Sequence, residues 1–322
     1  MTSYKKFCIS FVILTAFLLL VVHPVMFFAS LGVEDAPART IDNWFKVKEA
    51  HAQNSSGRKL FVLSCSGTLF GVSAAQIESE LGITAINFGT TSSMQEYMFT
   101  RIKRTLQSGD IVLMPLDYGL YADHPLEEGN FVYVLEYDKE YFEKLPFTDK
   151  VKYIYGVSFS FLVRRFIARA FSSKYGDDAS DLLSSEHLNV NGDLTNNTYE
   201  TRTYIKPLST AKQNFSSSNF PGPWMKQIVS NFVEYCQRLH ISVYATWPPL
   251  YSLTGKKEFY GYDAEVIEAI KLFWKDLNVP LLGDYRDAFV EADECYKDHI
   301  HINDRGRSRY TKHLIELIRP YI

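Results

Sequence analysis

Between residues 59 and 116 the chain alternates three short apolar runs with two helical patterns, and each helical pattern closes on a glycine. Lys59–Leu63 (KLFVL), Ile83–Phe88 (ITAINF) and Asp110–Leu116 (DIVLMPL) are too short for helices and have the continuous apolar character of strands buried on both faces. Ala74–Leu81 and Met94–Gln107 carry helical spacing, with Gly82 and Gly109 placed where a left-handed residue ends a helix. Strand, helix, strand, helix, strand at this spacing predicts an α/β fold, a doubly wound and mostly parallel sheet. The rhythm resumes after Pro223 with a helix over Trp224–Leu239 and a strand over Ile241–Thr246, stopped by Trp247-Pro248-Pro249. A helix over Asp263–Leu277, a short strand over Val279–Leu282 and a terminal helix over Arg309–Ile318 complete it. The domain 58–322 is thus expected to be interrupted once, by a long insertion at about 120–223. Val151–Phe171 in that insertion reads as a helix with aromatic and basic faces. Ser172–Pro223 is polar, either a lid carrying substrate contacts or an irregular surface excursion.

The N-terminus sets the compartment. Lys5 and Lys6 precede an uncharged run from Phe7 to Val33, longer than the about 20 residues a bilayer requires. Residues 1–34 are therefore expected to be a transmembrane signal anchor. His23-Pro24 interrupts the run, so a cleaved signal peptide is the alternative. In either case the lysines stay cytoplasmic and the rest is exported, giving a single-pass protein of the cytoplasmic (inner) membrane with a periplasmic domain. Residues 35–57, with a short helix around Trp44–Ala52, are expected to be a linker.

Composition narrows the function classes. Net charge is -3, so the basic excess of a nucleic-acid binder is missing. Four cysteines, Cys8, Cys65, Cys236 and Cys295, show no zinc spacing, and Cys236 and Cys295 are the candidates for a disulfide in an oxidising compartment. Asn54, Asn196 and Asn214 begin glycosylation sequons, meaningful only in a host that glycosylates.

In a parallel α/β sheet, chemistry gathers outside the carboxyl ends of the strands. Ser64-Cys65-Ser66-Gly67 follows the first strand, Asn87-Phe88-Gly89-Thr90 the second, and Asp298-His299-Ile300-His301-Ile302-Asn303 precedes the last helix. A hydroxyl, a histidine and a carboxylate are the parts of a nucleophilic acyl-transfer site: the imidazole takes the hydroxyl proton and the carboxylate sets the imidazole tautomer.

LFVLSCSGTLFGVSAAQIESELGITAINFGTTSS resembles the first two blocks of the SGNH (GDSL-type) hydrolases, in the envelope branch that includes polysaccharide O-acetylation proteins. DHIHINDRG resembles that family's final Asp-x-x-His block, and ATWPPLY the strand end before it. The resemblance covers roughly residues 58–118 and 224–318 and implies an SGNH/flavodoxin-like sheet. It implies Ser66 as nucleophile, His301 as base and Asp298 as its carboxylate. The N–H groups of Ser66 and Gly89 are then the oxyanion donors. His299 is the rival base and Cys65 the rival nucleophile. The implied activity is acyl, in particular acetyl, transfer from or to an envelope or secreted polysaccharide, as esterase or transferase. It calls for no metal or organic cofactor; a transferase would need an acyl donor delivered by a membrane partner. The alternative is a non-catalytic carbohydrate-binding or assembly protein of a polysaccharide export system. Two departures bear on this: the first-block glycine is Ser64, and the third-block asparagine is Asp117. Losing one oxyanion donor costs about 10²–10³ in rate. Asp117, Tyr118 and Trp247 are candidate substrate contacts, with a core position as the other reading of Trp247.

Overall fold

A computed structural model describes residues 3–33, 35–122, 127–171, 183–203, 220–251, 264–298 and 300–322. It opens with α1 (Ser3–Phe17), a π-helical stretch (Leu18–Val22), α2 (His23–Ala29) and α3 (Ala36–Asn54). β1 (Lys59–Val62), α4 (Ser66–Gly71), α5 (Ala74–Leu81), β2 (Thr84–Asn87), α6 (Gln95–Ile102) and β3 (Ile111–Met114) follow. Next come α7 (Glu128–Tyr137), α8 (Lys139–Lys144), α9 (Phe147–Tyr155) and α10 (Phe159–Ala170). The chain ends with α11 (Pro223–Arg238), β4 (Ser242–Thr246), β5 (Leu250–Tyr251), α12 (Ala264–Asp276), β6 (Leu281–Leu282), β7 (Phe289–Val290) and α13 (Asp304–Ile318).

Two compact units result: Met1–Asp42 with Leu126–Asp181, and Asn43–Pro125 with Leu182–Ile322. The second holds a five-stranded sheet of order β2-β1-β3-β4-β6, with every neighbouring pair parallel. Leu60 lies opposite both Ala85 and Ile111, Val112 opposite Val243, and Ala245 opposite Leu281. Phe61, Val62, Ile86, Val112 and Leu113 are all 0% exposed, which requires cover on both faces and explains the unbroken apolar runs. α4 and α5 pack on α13, while α11 packs on α6 and β4. The mixed α/β fold with a mostly parallel sheet is thus as expected from the sequence. Strand order reverses between β1 and β3, and a crevice outside their carboxyl ends is where such a sheet places ligands.

The opposite, amino end of the sheet is held by a buried charge pair. Asp110 accepts the backbone N–H groups of Lys59 (2.9 Å) and Gln107 (2.8 Å), and the Lys59 ammonium lies 3.5 Å from it. Removing one member leaves the other buried without its counter-charge. Asp110→Ala is therefore expected to destabilise this unit by about 3–5 kcal/mol, measured as a shift of the thermal or urea transition of the full chain in detergent. The same contacts explain why α6 is shorter than the helix expected over Met94–Gln107. Beyond Ile102 the backbone turns, and the Gln107 N–H goes to the Asp110 carboxylate rather than up a helix.

The linker expected over 35–57 is corrected: residues 36–54 form a helix with buried contacts. Trp44 is 1% exposed and donates from Nε1 to Leu183 O (3.0 Å), Phe45 packs on Phe88 and Tyr97, and Glu49 pairs with Arg101. The insertion is also not one piece, since 126–181 belongs to the first unit and 183–203 to the second. Within the first unit the single helix expected over Val151–Phe171 is broken at Gly156–Ser158. A Cβ at Gly156 would collide with the Phe131 ring, and the Ser158 hydroxyl caps α10 by accepting the Phe161 N–H (3.3 Å). Arg165, 1% exposed, ties this unit together through Asp35 (2.8 Å), Val33 O (3.1 Å) and Glu136. Burial pushes the Glu136 carboxyl up to about 7 against the pull of Arg165.

All four cysteines are free thiols, so the Cys236–Cys295 disulfide is not formed. Cys236 lies on the buried face of α11, and the Cys295 thiol donates to Glu291 O (3.5 Å).

Candidate active site

β1 and β3 end side by side at the reversal of strand order, and each sends one residue into the other's turn. Leu63 donates its N–H to Leu113 O (2.9 Å), and the buried Ser64 hydroxyl accepts the Asp117 N–H (3.1 Å). The chain turns out of the sheet at Cys65, and α4 begins at Ser66. Asp117 Oδ2 accepts the N–H of Gly67 (3.1 Å) and the thiol proton of Cys65. A short helix reading SGTLFG has weak local support, and a carboxylate from the neighbouring strand end supplies its first-turn cap. A Cβ at Gly67 would collide with Asp117 Oδ1, so glycine makes room for that cap. Burial raises the Asp117 carboxyl above its usual range, against the hydrogen bonds from Cys65 and Gly67. Burial, and then the charge of Asp117, push the Cys65 thiol well above its ordinary value. Cys65 is a buried thiol that keeps its proton, which removes it as the rival nucleophile.

At the end of β2, Asn87 Nδ2 donates to Thr68 O (3.1 Å) and Val72 O (3.0 Å), and its Oδ1 accepts the Gly89 N–H (2.9 Å). The expected oxyanion donor at Gly89 is therefore corrected: that N–H is already spent on Asn87. Gly89 serves by size, since a Cβ there would collide with the Leu69 backbone in α4. Its carbonyl accepts from the ammonium of Lys48, a fully buried lysine whose pKa burial lowers to about 7.

Asp298 and His301 form a closed pair. Asp298 Oδ2 lies 2.5 Å from His301 Nδ1, and Oδ1 accepts the N–H groups of Ile300 (3.0 Å) and His301 (2.9 Å). Burial alone would raise the Asp298 carboxyl, but the His301 ring and these N–H groups outweigh it and hold it at about 2. With Nδ1–H facing the carboxylate, Nε2 is the atom left to accept a proton. His299 lies outside the described residues.

Phe70, on the helix that Ser66 starts, packs against this pair. Its ring centroid is 4.6 Å from that of His301, in an edge-on contact. Ser66 and Phe70 are four residues apart on α4, on one face about 6 Å apart along the axis. The helix that starts at Ser66 therefore packs on the imidazole through Phe70, one turn further along. Among the described residues neither the Ser66 hydroxyl nor His301 Nε2 has a hydrogen-bond partner. Bonds of this kind are often open before substrate binds. The Asp117 carboxyl interacts electrostatically with both His301 and Asp298, so the three share one neighbourhood.

The polar segment 183–203 contains organising residues that sequence reasoning missed. Asn197, 0% exposed, donates from Nδ2 to Phe70 O (3.0 Å) and Ile302 O (2.7 Å) and accepts from Arg307 (2.6 Å). It clamps the α4 helix to the histidine loop. Asp193 caps α5 by accepting the N–H groups of Ala74 (2.7 Å) and Ala75 (3.0 Å), and Asn191 O accepts the Asn87 N–H (2.8 Å). The available signal was the density of Asn, Asp and Gly in NVNGDLTNNT, residue types that bond backbone locally.

Tyr118 and Trp247 are corrected as substrate contacts. They are 4% and 3% exposed, pack at 6.4 Å between ring centroids, and Trp247 Nε1 donates to Gly283 O (3.2 Å). Trp247 also lines a separate cavity of about 340 Å³, with Lys271, Gly283, Asp284 and Tyr285 and without Ser66, Asp298 or His301. Among the described residues no cluster of three or more His, Cys, Asp or Glu is placed to hold a metal ion. No family model matches the chain, and no curated protein matches it.

Proposed function

We propose that this is an exported, membrane-anchored, serine-dependent acyl esterase or acyltransferase of SGNH type, acting on O-acyl (in particular acetyl) groups of an envelope or secreted polysaccharide. The observation that carries the reading is the Asp298–His301 pair closed at 2.5 Å with its imidazole against the helix that Ser66 starts. Ser66 Oγ attacks the acyl carbon as His301 Nε2 takes the hydroxyl proton, and Asp298 holds the imidazolium. The N–H of Ser66 faces the oxyanion. His301 returns the proton to the departing atom, the sugar oxygen for an esterase and the donor's leaving group for a transferase, leaving an acyl-serine. Water then gives the esterase outcome, and a sugar hydroxyl the transferase outcome, for which a membrane partner supplies the acyl donor. Ser3–Ala29 is a helix near the N-terminus, long and apolar enough to cross a membrane, a test that signal sequences also pass. In this reading it is an anchor holding the catalytic unit on the periplasmic side.

The commitment of the Gly89 N–H to Asn87, together with the Asp117 carboxylate at the α4 terminus, favours a second reading: a non-catalytic carbohydrate-binding or assembly protein on the same fold. One substitution separates them. In Asp117→Asn the side-chain oxygen still accepts the Gly67 N–H, the like-charged neighbour of an oxyanion is gone, and an amide donor takes its place. Hydrolysis of an activated acetyl ester is expected to rise by about 10²-fold over wild type. Absence of turnover in both proteins, each folded, supports the binding reading.

A further inference from the structure

We propose that α10, with the end of α9, is a membrane-interfacial platform whose outward apolar face lies in the outer part of the leaflet from which the N-terminal helix emerges. The inference rests on the anchor reading and goes beyond it, since it assigns a lipid contact to residues 150 positions away in sequence. Nothing in Ser3–Val22 is buried, and these about 20 residues span roughly 30 Å, the thickness of a bilayer core. Burial begins only at α2, with His23 and Phe27. The cover comes from α9 and α10: His23 Nε2 bonds Ile154 O (3.0 Å), and its ring stacks on Tyr155 at 5.2 Å and meets Phe159 at 6.2 Å. Arg169 donates to Ala29 O (2.7 Å) and Leu31 O (3.0 Å), satisfying carbonyls at the end of α2. The α9–α10 pair is thereby fixed at the level where the apolar helix leaves the hydrocarbon.

α10 is apolar on two faces. Phe161, Leu162, Arg165 and Ala168 point into the unit. Phe159, Phe166, Ile167 and Phe171 point out, from 43% to 78% exposed, and with Val163 and Ala170 between them they form one stripe at helical spacing. Arg164 and Arg169 flank the stripe, both exposed, a position from which cationic side chains commonly run their stems along lipid. Three outward phenylalanines and an isoleucine beside a spanning helix match the composition of a membrane interface, and a water-facing helix has no use for them.

The test places a benzophenone amino acid at Phe166, at Phe11 in the spanning helix, or at Leu272, an exposed residue of α12, each in the full chain reconstituted in vesicles of phosphatidylethanolamine and phosphatidylglycerol. All three sites are exposed, and each variant is first matched to wild type by its melting transition. Irradiation is expected to give lipid adducts at positions 11 and 166, each at least about tenfold above position 272. Adducts at 11 and none at 166 overturn the platform while the anchor stands. Adducts at 166 and none at 11 remove the anchor and overturn the platform as the extension of a spanning helix. Adducts at neither position overturn both.

Discussion

Ser66→Ala is expected to lower turnover of an activated acetyl ester by about 10⁴–10⁶-fold while leaving the melting transition within about 0.5 kcal/mol of wild type. The first half follows from chemistry: alanine has no oxygen to form the acyl bond, and triad members act as a unit. The second half follows from the structure. The Ser66 hydroxyl has no hydrogen-bond partner among the described residues, and the start of α4 is capped by Asp117 through Gly67 and Cys65, not by Ser66 itself. In the proposed reading this unbonded hydroxyl, at the start of the helix whose Phe70 packs on the paired imidazole, is the nucleophile. The measurement is initial-rate kinetics on the full chain in detergent, beside a thermal melt. A loss of rate accompanied by an equal loss of stability would assign Ser66 to the fold instead.

Asp298→Asn is expected to cost about 10⁴ in kcat, because an amide facing Nδ1 no longer enforces the tautomer that leaves Nε2 free to accept a proton. It also carries a stability signature with a defined sign. The folded carboxyl is held at about 2, below its ordinary 3.8, so it contributes stability that is fully present above pH 3.8 and lost as the pH falls toward 2. Wild type is therefore more stable than Asp298→Asn at neutral pH, and the difference closes between about pH 4 and pH 2. Melting curves across that range read it directly. A gap that stays constant with pH would mean that the asparagine acts by packing alone.

The sheet was legible because its signal is local. Runs such as Ile111–Met114 are buried on both faces and bounded by turns, so period and length suffice. Ser66, Asp298 and His301 were singled out through the resemblance to the SGNH blocks, and the structure forms the Asp298–His301 pair and sets Phe70 against it. What stayed hidden depends on contacts distant in sequence. α4 has no cap of its own and exists through Asp117, 50 residues away. Gly89 is only two residues from Asn87, yet nothing in the spacing shows that the side chain of one consumes the N–H of the other. Asn197 reads as loop polarity until its two carbonyl partners, Phe70 and Ile302, are brought together. α13 begins five residues before the helix expected at Arg309, because Asn303 caps it by accepting the N–H groups of Arg305 (3.0 Å) and Gly306 (3.2 Å). Gly306, an unfavourable residue in the first turn, is required there by the close approach of Glu294.

The most direct test of the serine mechanism is the intact mass of the full chain after incubation with an activated acetyl ester. One acetyl adduct is expected on wild type, mapped to Ser66 and absent from Ser66→Ala. A folded wild type that acquires no adduct, or one that acquires it equally in Ser66→Ala, would contradict that mechanism.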